Sequence, residues 1–348
     1  MNFDLNNLVR DNVKSLLPYS SARDEYKTDG EAMIFLDANE NPFENGLNRY
    51  PDPKQMLLKS KISEIKKVPE KQILLGNGSD EVLDLIFRAF CEPGKDNIIS
   101  LPPTYGMYKV LSGINNIENR EVLLTSEFEP DVDAILEAED SNSKLLFLCS
   151  PNNPSGNSFK TELVQKLLES FNGLVVIDEA YIDFSDDAGW TQSLDKYPNL
   201  IITQTFSKAF GMAGIRLGML FASAEIIKIL NRIKPPYNVN ELTQQRAIKG
   251  LQNYSDIKQQ VIDIKSERDN LSKQLLQLNY VAKIFPSDAN FLLIKVDDAD
   301  QRYMELIGKG IVVRNRSKQP LCENCLRITV GTALENQNLL KAFKELES

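Results

Sequence analysis

The sequence predicts an α/β protein: a large domain built on a mostly parallel sheet of about seven strands, followed by a smaller α+β domain. Three observations lead there. Between Gln72 and Ala222, short apolar runs bounded by turn residues alternate with segments of helical character. Runs such as Leu145-Leu-Phe-Leu-Cys149 and Leu174-Val-Val-Ile-Asp178 are apolar at consecutive positions, as strands are when helices cover both faces of a parallel sheet. After Lys234-Pro-Pro-Tyr237 the pattern changes to a long polar, helix-favouring stretch, then to strands alternating with two helices.

Taken in order, the strand candidates of the large domain are Ile73–Leu75, Asn97–Ser100, Glu121–Leu124, Lys144–Cys149, Leu174–Asp178, Leu200–Thr205 and Leu217–Phe221. A connecting helix is expected from Asn240 to about Leu278, broken near Gly250 to Tyr254. Beyond it, strands Asn290–Val296, Ile311–Arg314 and Leu326–Val330 alternate with helices Asp298–Gly308 and Leu334–Glu347. The expected division is an N-terminal arm over residues 1–30 that packs with the small domain, a large domain over 31–240 and a small domain over 241–348. No internal repeat or flexible linker separates them.

Composition narrows the chemistry. Of 348 residues, 42% are apolar and 26% charged, with 40 basic against 49 acidic residues and a net charge of −9. No dense basic run could track a nucleic-acid backbone or an anionic membrane. The N-terminal segment Met1–Leu17 lacks the continuous apolar core of a secretory signal, and no stretch approaches a membrane span. Four cysteines, Cys91, Cys149, Cys322 and Cys325, are too few and too unevenly spaced for a disulfide framework, so a reducing cytoplasm is expected. Histidine is absent, which removes imidazole catalysis and His-ligated metals. Cys322-Glu-Asn-Cys325 has the CxxC spacing of a zinc or redox site, but nothing completes a tetrahedral set, and no metal is expected.

The most informative segment is Thr203-Gln-Thr205-Phe-Ser207-Lys208-Ala-Phe-Gly211, continuing to Arg216-Leu-Gly218. A lysine placed just beyond a buried strand can lose its proton through desolvation and a nearby cation, and then acts as a Schiff-base nucleophile. Ser207 and Arg216 could grip an anion. Taken alone, the same Ser-Lys pair also suits a solvated strand end. Asp178, at the carboxyl end of its strand, lies where open α/β sheets bind ligands, with Glu179 and Tyr181 beside it. A magnesium site of the Walker-B kind would need GxxxxGK[ST], which is missing.

Three further segments follow strands in the same way. Asn152-Asn153-Pro-Ser-Gly156 is a rigid loop whose amides could hold a phenolic oxygen. Gly76-Asn-Gly78-Ser79-Asp80-Glu81 opens an apolar helix and offers free backbone N–H groups to an anion, although it also reads as a plain capped helix. Pro102-Pro-Thr-Tyr105-Gly-Met-Tyr108 places an aromatic where it could stack on a flat ring or simply fill the core.

In this order the segments resemble the fold-type-I pyridoxal-phosphate aminotransferases over almost the whole chain. Leu16-Leu-Pro-Tyr19-Ser-Ser-Ala-Arg23, Leu36-Asp-Ala-Asn39-Glu-Asn-Pro42, Arg49-Tyr50-Pro51, Pro236-Tyr-Asn-Val-Asn240, Gly310-Ile-Val-Val-Arg314 and Leu326-Arg327-Ile-Thr-Val-Gly-Thr332 are similar to the branch that transaminates histidinol phosphate. The resemblance implies the fold-type-I architecture, with pyridoxal 5'-phosphate as cofactor held as a Schiff base on Lys208. It implies that Asp178 pairs with the pyridinium nitrogen, that Asn153 and Tyr181 hold the ring hydroxyl oxygen, and that Tyr105 stacks on the ring. Backbone groups of Ser79 and Asp80, with Thr205, Ser207, Arg216 and Tyr50 from a second subunit, would hold the phosphate. The functional unit would then be a homodimer.

For substrates, the resemblance implies a glutamate/2-oxoglutarate half-reaction and a histidinol phosphate half-reaction. Tyr19, Asn39, Arg314 and Arg327 would bind them, guanidinium groups suiting carboxylate and phosphate alike. Rival readings are an aminotransferase for aromatic amino acids, a phosphothreonine-type decarboxylase on the same scaffold, and the cofactor-sensing module of a transcription regulator. The last is disfavoured because motifs begin at Tyr19, too early for a DNA-binding domain, and because the chain is acidic.

Overall fold

The computed structural model describes residues 4–17 and 34–347. Short helix α1 (Asp11–Ser15) and α2 (Met56–Lys66) precede strand β1 (Ile73–Gly76) and helix α3 (Ser79–Phe90). There follow β2 (Asn97–Ser100), α4 (Met107–Ile114), β3 (Glu118–Glu121), α5 (Val132–Glu137), β4 (Ser143–Cys149), α6 (Thr161–Ser170), β5 (Leu174–Asp178), β6 (Leu200–Thr205), β7 (Gly218–Ala222) and α7 (Ala224–Ile233). These strands form one seven-stranded sheet in the order β1-β7-β6-β5-β4-β2-β3.

Consecutive apolar residues in the central strands serve two cores. In β5, Val175 and Ile177 pack into one cluster with Phe171, Phe206 and Leu167, while Leu174 and Val176 pack into another with Phe87, Tyr108 and Ile226. Side chains alternate across a strand, so a residue apolar at every position needs cover on both faces.

One strand direction organises the site. Strands β2 to β6 pair in parallel, whereas β7 is antiparallel to both its neighbours β6 and β1. The carboxyl ends of β1, β2, β4, β5 and β6 therefore share one edge of the sheet, and the amino end of β7 returns to it. Gly218 pairs with Gly76 on one side and Thr205 on the other. A residue before β7 thus meets residues that follow the parallel strands.

The remainder comprises α8 (Glu241–Leu251), α9 (Tyr254–Leu275), β8 (Val281–Ile284), β9 (Phe291–Val296), α10 (Ala299–Gly308), β10 (Arg314–Asn315), β11 (Cys325–Thr329) and α11 (Ala333–Lys344). Its antiparallel sheet, ordered β10-β11-β9-β8, shares a core with α9, α10 and α11 through Leu271, Leu275, Leu306, Leu340 and Phe343. Asp298 caps α10, and Thr332 with Glu335 forms a capping box on α11.

Several expected boundaries move. The break in the connecting helix falls at residues 252–253, inside the expected interval, and the helix ends at Leu275. The third strand lies at Glu118–Glu121 rather than Glu121–Leu124; it is a polar edge strand, and the segment after it runs on beside the end of β2, with Val122 N–H donating to the Ser100 carbonyl and Leu124 N–H to the Pro102 carbonyl, where Leu124 joins the core. Strand β10 starts at Arg314, not Ile311, because Ile311 N–H donates to Leu306 at the end of α10 after a left-handed Gly310. Strand β8 went unread, since two of its four residues are exposed and its apolar signal is weak.

Candidate active site

Lys208 lies three residues beyond the end of β6, in a turn closed by Gly211 N–H to the Lys208 carbonyl and by Met212 N–H to the Phe206 carbonyl. Its ammonium stands 5.6 Å from the centroid of the Tyr181 ring. The side chain is open to the cleft, yet burial of its surroundings pushes it below the usual lysine range, helped by the charges of Arg327 and Arg216 and opposed by Asp178 and Asp80. The amine is thus biased toward its nucleophilic form by desolvation first and by guanidinium repulsion second.

Asp178, the last residue of β5, is 3% exposed. Its Oδ2 accepts from the Tyr108 hydroxyl at 2.9 Å and its Oδ1 from Ala180 N–H at 3.2 Å. Burial raises its pKa above the ordinary aspartate value, while those two donors act the other way. A carboxylate so placed waits for a cation. Tyr108 is fully buried and stacks on Phe147 at 4.7 Å. Tyr108 sits in the first turn of α4, while Tyr105 precedes that helix, and no signal in the sequence points the Tyr108 hydroxyl at Asp178.

At the other end of the cleft, α3 begins without a side-chain cap on Gly78, leaving amides at Ser79 and Asp80 free of one. Arg216 stands beside this terminus in a left-handed conformation, φ 53°, with its Nη2 3.7 Å from Asp80 Oδ2. Asp80 also accepts from the Tyr105 hydroxyl at 3.0 Å. Close approach of the backbones here demands glycine: a Cβ on Gly218 would meet Ser79 N at 2.4 Å, and one on Gly78 would meet Arg216 Nη2 at 2.7 Å. Thr205 is buried, and its Oγ1 accepts from Ser207 N–H at 3.1 Å.

Between the two ends, Asn153 Oδ1 accepts from Arg327 Nη1. Because an arginine can only donate, the amide oxygen must face Arg327, which turns the Asn153 NH2 group toward other acceptors. Tyr181 is 8% exposed and packs edge-on against Phe291, with burial raising its hydroxyl pKa. Arg327 lies over the same Phe291 ring, 5.1 Å from its centroid. Arg314 is its direct partner across the β10–β11 pair.

Lys208, Asp178, Tyr181, Asn153, Arg327 and Arg314 are thereby drawn to one region, and Ser79, Asp80, Tyr105, Thr205, Ser207 and Arg216 to the end of it where α3 begins. Asn39 and Tyr50 line a different cavity of about 460 Å³ together with Asn240, where Tyr50 stacks on Tyr237 at 4.6 Å. Tyr19 lies outside the described residues. Cys322 and Cys325 are buried free thiols whose pKa values burial pushes up to about 12 and about 11. They pack in the core beneath the β10–β11 connection, with Leu321 and Asn324 at positive φ.

The donor set matches a planar, phosphorylated pyridine aldehyde: an amine of depressed basicity, a dry carboxylate at one end, an uncapped helix terminus with an arginine at the other, and an amide between them. The family model for class I and II aminotransferases matches residues 25–343. The chain is similar to a histidinol-phosphate aminotransferase of Christiangramia forsetii, 68% identical over 99% of each chain, and to one of Flavobacterium johnsoniae at 63% over 99% of each. Among solved structures it resembles the histidinol-phosphate aminotransferase of Clostridium acetobutylicum, at a TM-score of 0.80 and 25% identity, covering 86% of this chain and 91% of that one. The Sinorhizobium meliloti histidinol-phosphate aminotransferase in complex with pyridoxal-5'-phosphate shares the fold at a TM-score of 0.77 and 23% identity, over 86% of this chain and 83% of that one.

Proposed function

From the premise that this chain belongs to the class I and II aminotransferases, we propose that it transfers the amino group between L-histidinol phosphate and 2-oxoglutarate, giving imidazole acetol phosphate and glutamate, and works in the reverse sense during histidine biosynthesis. Relatives bearing that activity in their names match end to end, which favours this substrate over aromatic amino acids. The observation that carries the chemistry is the meeting of Lys208, Asp178 and Arg216 at one edge of the sheet, the first two at the ends of parallel strands and the third at the start of the reversed one.

Pyridoxal phosphate, when bound, supplies the electron sink that stabilises negative charge on the carbon bearing the amino group. Asp178 holds a proton on the ring nitrogen, and its dry setting makes that ion pair strong. Tyr108 keeps the carboxylate oriented. Lys208 would hold the cofactor through its Nζ and, as a free amine, would accept the proton of the substrate carbon and give it back at the cofactor's former aldehyde carbon, two atoms away. Asn153 and Tyr181 hold the ring hydroxyl oxygen, while Arg216, Ser207, Thr205 and the first amides of α3 hold the phosphate. Arg327 and Arg314 receive the anionic groups of either substrate.

The N-terminal arm over 1–30, the large domain over 31–240 and the small domain over 241–348 are the parts of this reading, with the cleft where the last two meet; the described residues of the arm lie on the large domain rather than the small one, because Leu8, Val9 and Val13 join the core of Phe87 and Ile226 and Arg10 N–H donates to the Ala89 carbonyl. A homodimer completes it, Tyr50 reaching the partner's phosphate site; the exposed apolar residues Ile34, Leu36, Phe43, Leu47 and Leu57 around Tyr50 support a covered face there. A cytoplasmic location is supported by four free thiols, and none of the described helices is long and apolar enough to cross a membrane.

The test is spectroscopic. The purified protein is expected to show a near-visible absorption band that L-histidinol phosphate shifts and 2-oxoglutarate restores. Lys208→Ala should abolish both the band and turnover while leaving the fold intact. Wild-type turnover in that variant would remove Lys208 from the mechanism, and rapid exchange with phenylalanine but not histidinol phosphate would remove the substrate assignment.

A further inference from the structure

We propose that Arg316 is a third guanidinium of the substrate anion site and the residue that makes this enzyme prefer a phosphate monoester dianion to a carboxylate; the inference rests on the aminotransferase reading above. The register places it. Arg314 pairs with Arg327, Asn315 with Leu326, and Arg316 N–H continues the ladder to the Cys325 carbonyl at 2.8 Å. Side chains alternate along a strand, so Arg314, Arg316 and Arg327 share one face, the face on which Arg327 reaches Asn153.

Three like charges on one face of a strand pair oppose one another. None of the three forms a salt bridge among the described residues, although the chain carries 49 acidic residues. Arg302 on α10, by contrast, has both Asp297 and Glu305. The Nε atoms of Arg316 and Arg327 are buried without a hydrogen-bond partner. Buried guanidinium N–H groups left unsatisfied are costly, and a native protein retains them where a ligand completes them. Burial first, then the charges of Arg327 and Arg314, lower the Arg316 pKa, and Cys322 and then the Tyr181 hydroxyl act on it in the opposite sense.

The number of cations decides the ligand. A carboxylate carries one negative charge and two oxygens, which a single arginine fork satisfies. A phosphate monoester carries close to two charges and three peripheral oxygens, so it can engage several guanidinium groups at once. The phosphate puts both of its charges on one group that all three arginines can reach, whereas glutamate divides the same two charges between carboxylates held apart by its carbon chain. Arg316 should therefore act on the phosphorylated substrate more than on the dicarboxylate.

The experiment compares the holoenzyme with Arg316→Gln and Arg316→Lys. Arg316→Gln is expected to raise KM for histidinol phosphate roughly tenfold or more, to raise KM for glutamate less than about threefold, and to leave kcat close to wild type. Arg316→Lys, which keeps the charge and loses the fork, should fall between. Calorimetric titration with inorganic phosphate supplies a readout independent of turnover: wild-type binding should weaken in Arg316→Gln and become less salt-dependent. Equal losses for both substrates, or an unchanged histidinol phosphate KM with unchanged phosphate binding, overturns the role of Arg316. A wild-type enzyme that does not accept histidinol phosphate overturns the substrate reading instead. Should Arg316→Gln not fold, Arg316→Lys carries the same comparison.

Discussion

The two ends of the cofactor cradle set a charged side chain in opposite surroundings, a buried carboxylate at one and an exposed guanidinium at the other. At the Asp178 end the carboxylate is 3% exposed, held by a fully buried tyrosine and walled by aromatic rings. At the Arg216 end the guanidinium side chain is 50% exposed, and its nearest carboxylate, Asp80, is 39% exposed. Coulomb energies scale inversely with the local dielectric, so a charge partner is worth several times more at the first end than at the second. The dry end should tune the chemistry and strain the empty protein, whereas the wet end should govern how tightly the phosphate is held.

Replacing Asp178 should have the largest effect. Asp178→Asn keeps the shape and can still pair with Tyr108, but it cannot hold a proton on the ring nitrogen. Breaking a buried ion pair costs about 3–5 kcal/mol, so kcat should fall roughly 10²–10⁴-fold. The stability of the cofactor-free protein should move the other way. Burial raises the Asp178 pKa in the folded state; the folded chain therefore binds a proton that the unfolded chain has released, and stability falls as pH rises from the unfolded value through the folded one. Asp178→Asn removes that loss. Apo Asp178→Asn should melt higher than apo wild type at neutral pH, with near-equal melting in acid. A variant that is inactive and also less stable at neutral pH would show that the dry end is not strained when empty.

Arg216→Gln probes the wet end and should be milder. A charge-assisted hydrogen bond contributes about 1.5–3 kcal/mol, which corresponds to roughly 10–150-fold weaker cofactor affinity. Since the site is open, the deficit should shrink in high salt, and kcat at saturating pyridoxal phosphate should stay within about threefold of wild type. Fluorescence titration of apoenzyme at two ionic strengths measures the affinity. A salt-independent loss, or a collapse of kcat at saturation, would erase the contrast between the two ends.

The sequence made one of these ends more legible than the other. Asp178 and Lys208 follow runs of apolar residues that announce parallel strands, and ligands gather at the carboxyl ends of such strands. Arg216 precedes a strand, and only the reversed direction of β7 brings it to the same edge; its candidacy came from sharing a glycine-studded loop with Ser207 and Lys208, not from strand polarity. The edge strands were least readable. The true third strand is polar and half-exposed, and β8 exposes its two middle residues, Ala282 and Lys283, so neither carries the pattern of a buried strand. Tyr108 and Arg316 were passed over because each repeats a residue already assigned, Tyr105 or Arg314, and only the helix turn and the strand register show that the second copy faces the site.

Tyr108→Phe is the smallest and sharpest probe of the dry end. The change removes one hydroxyl, leaves the ring stacked on Phe147, and strips Asp178 Oδ2 of its 2.9 Å donor. That donor favours the ionised carboxylate, so its loss should raise the Asp178 pKa further. The acidic limb of the kcat/KM profile should move to higher pH, and activity at neutral pH should fall about tenfold or less, since a neutral hydrogen bond contributes about 1 kcal/mol. Above the displaced limb the two enzymes should converge, because a carboxylate once ionised still holds the ring proton. A uniform drop at every pH would instead mean that Tyr108 serves the packing of the sheet rather than the charge of Asp178.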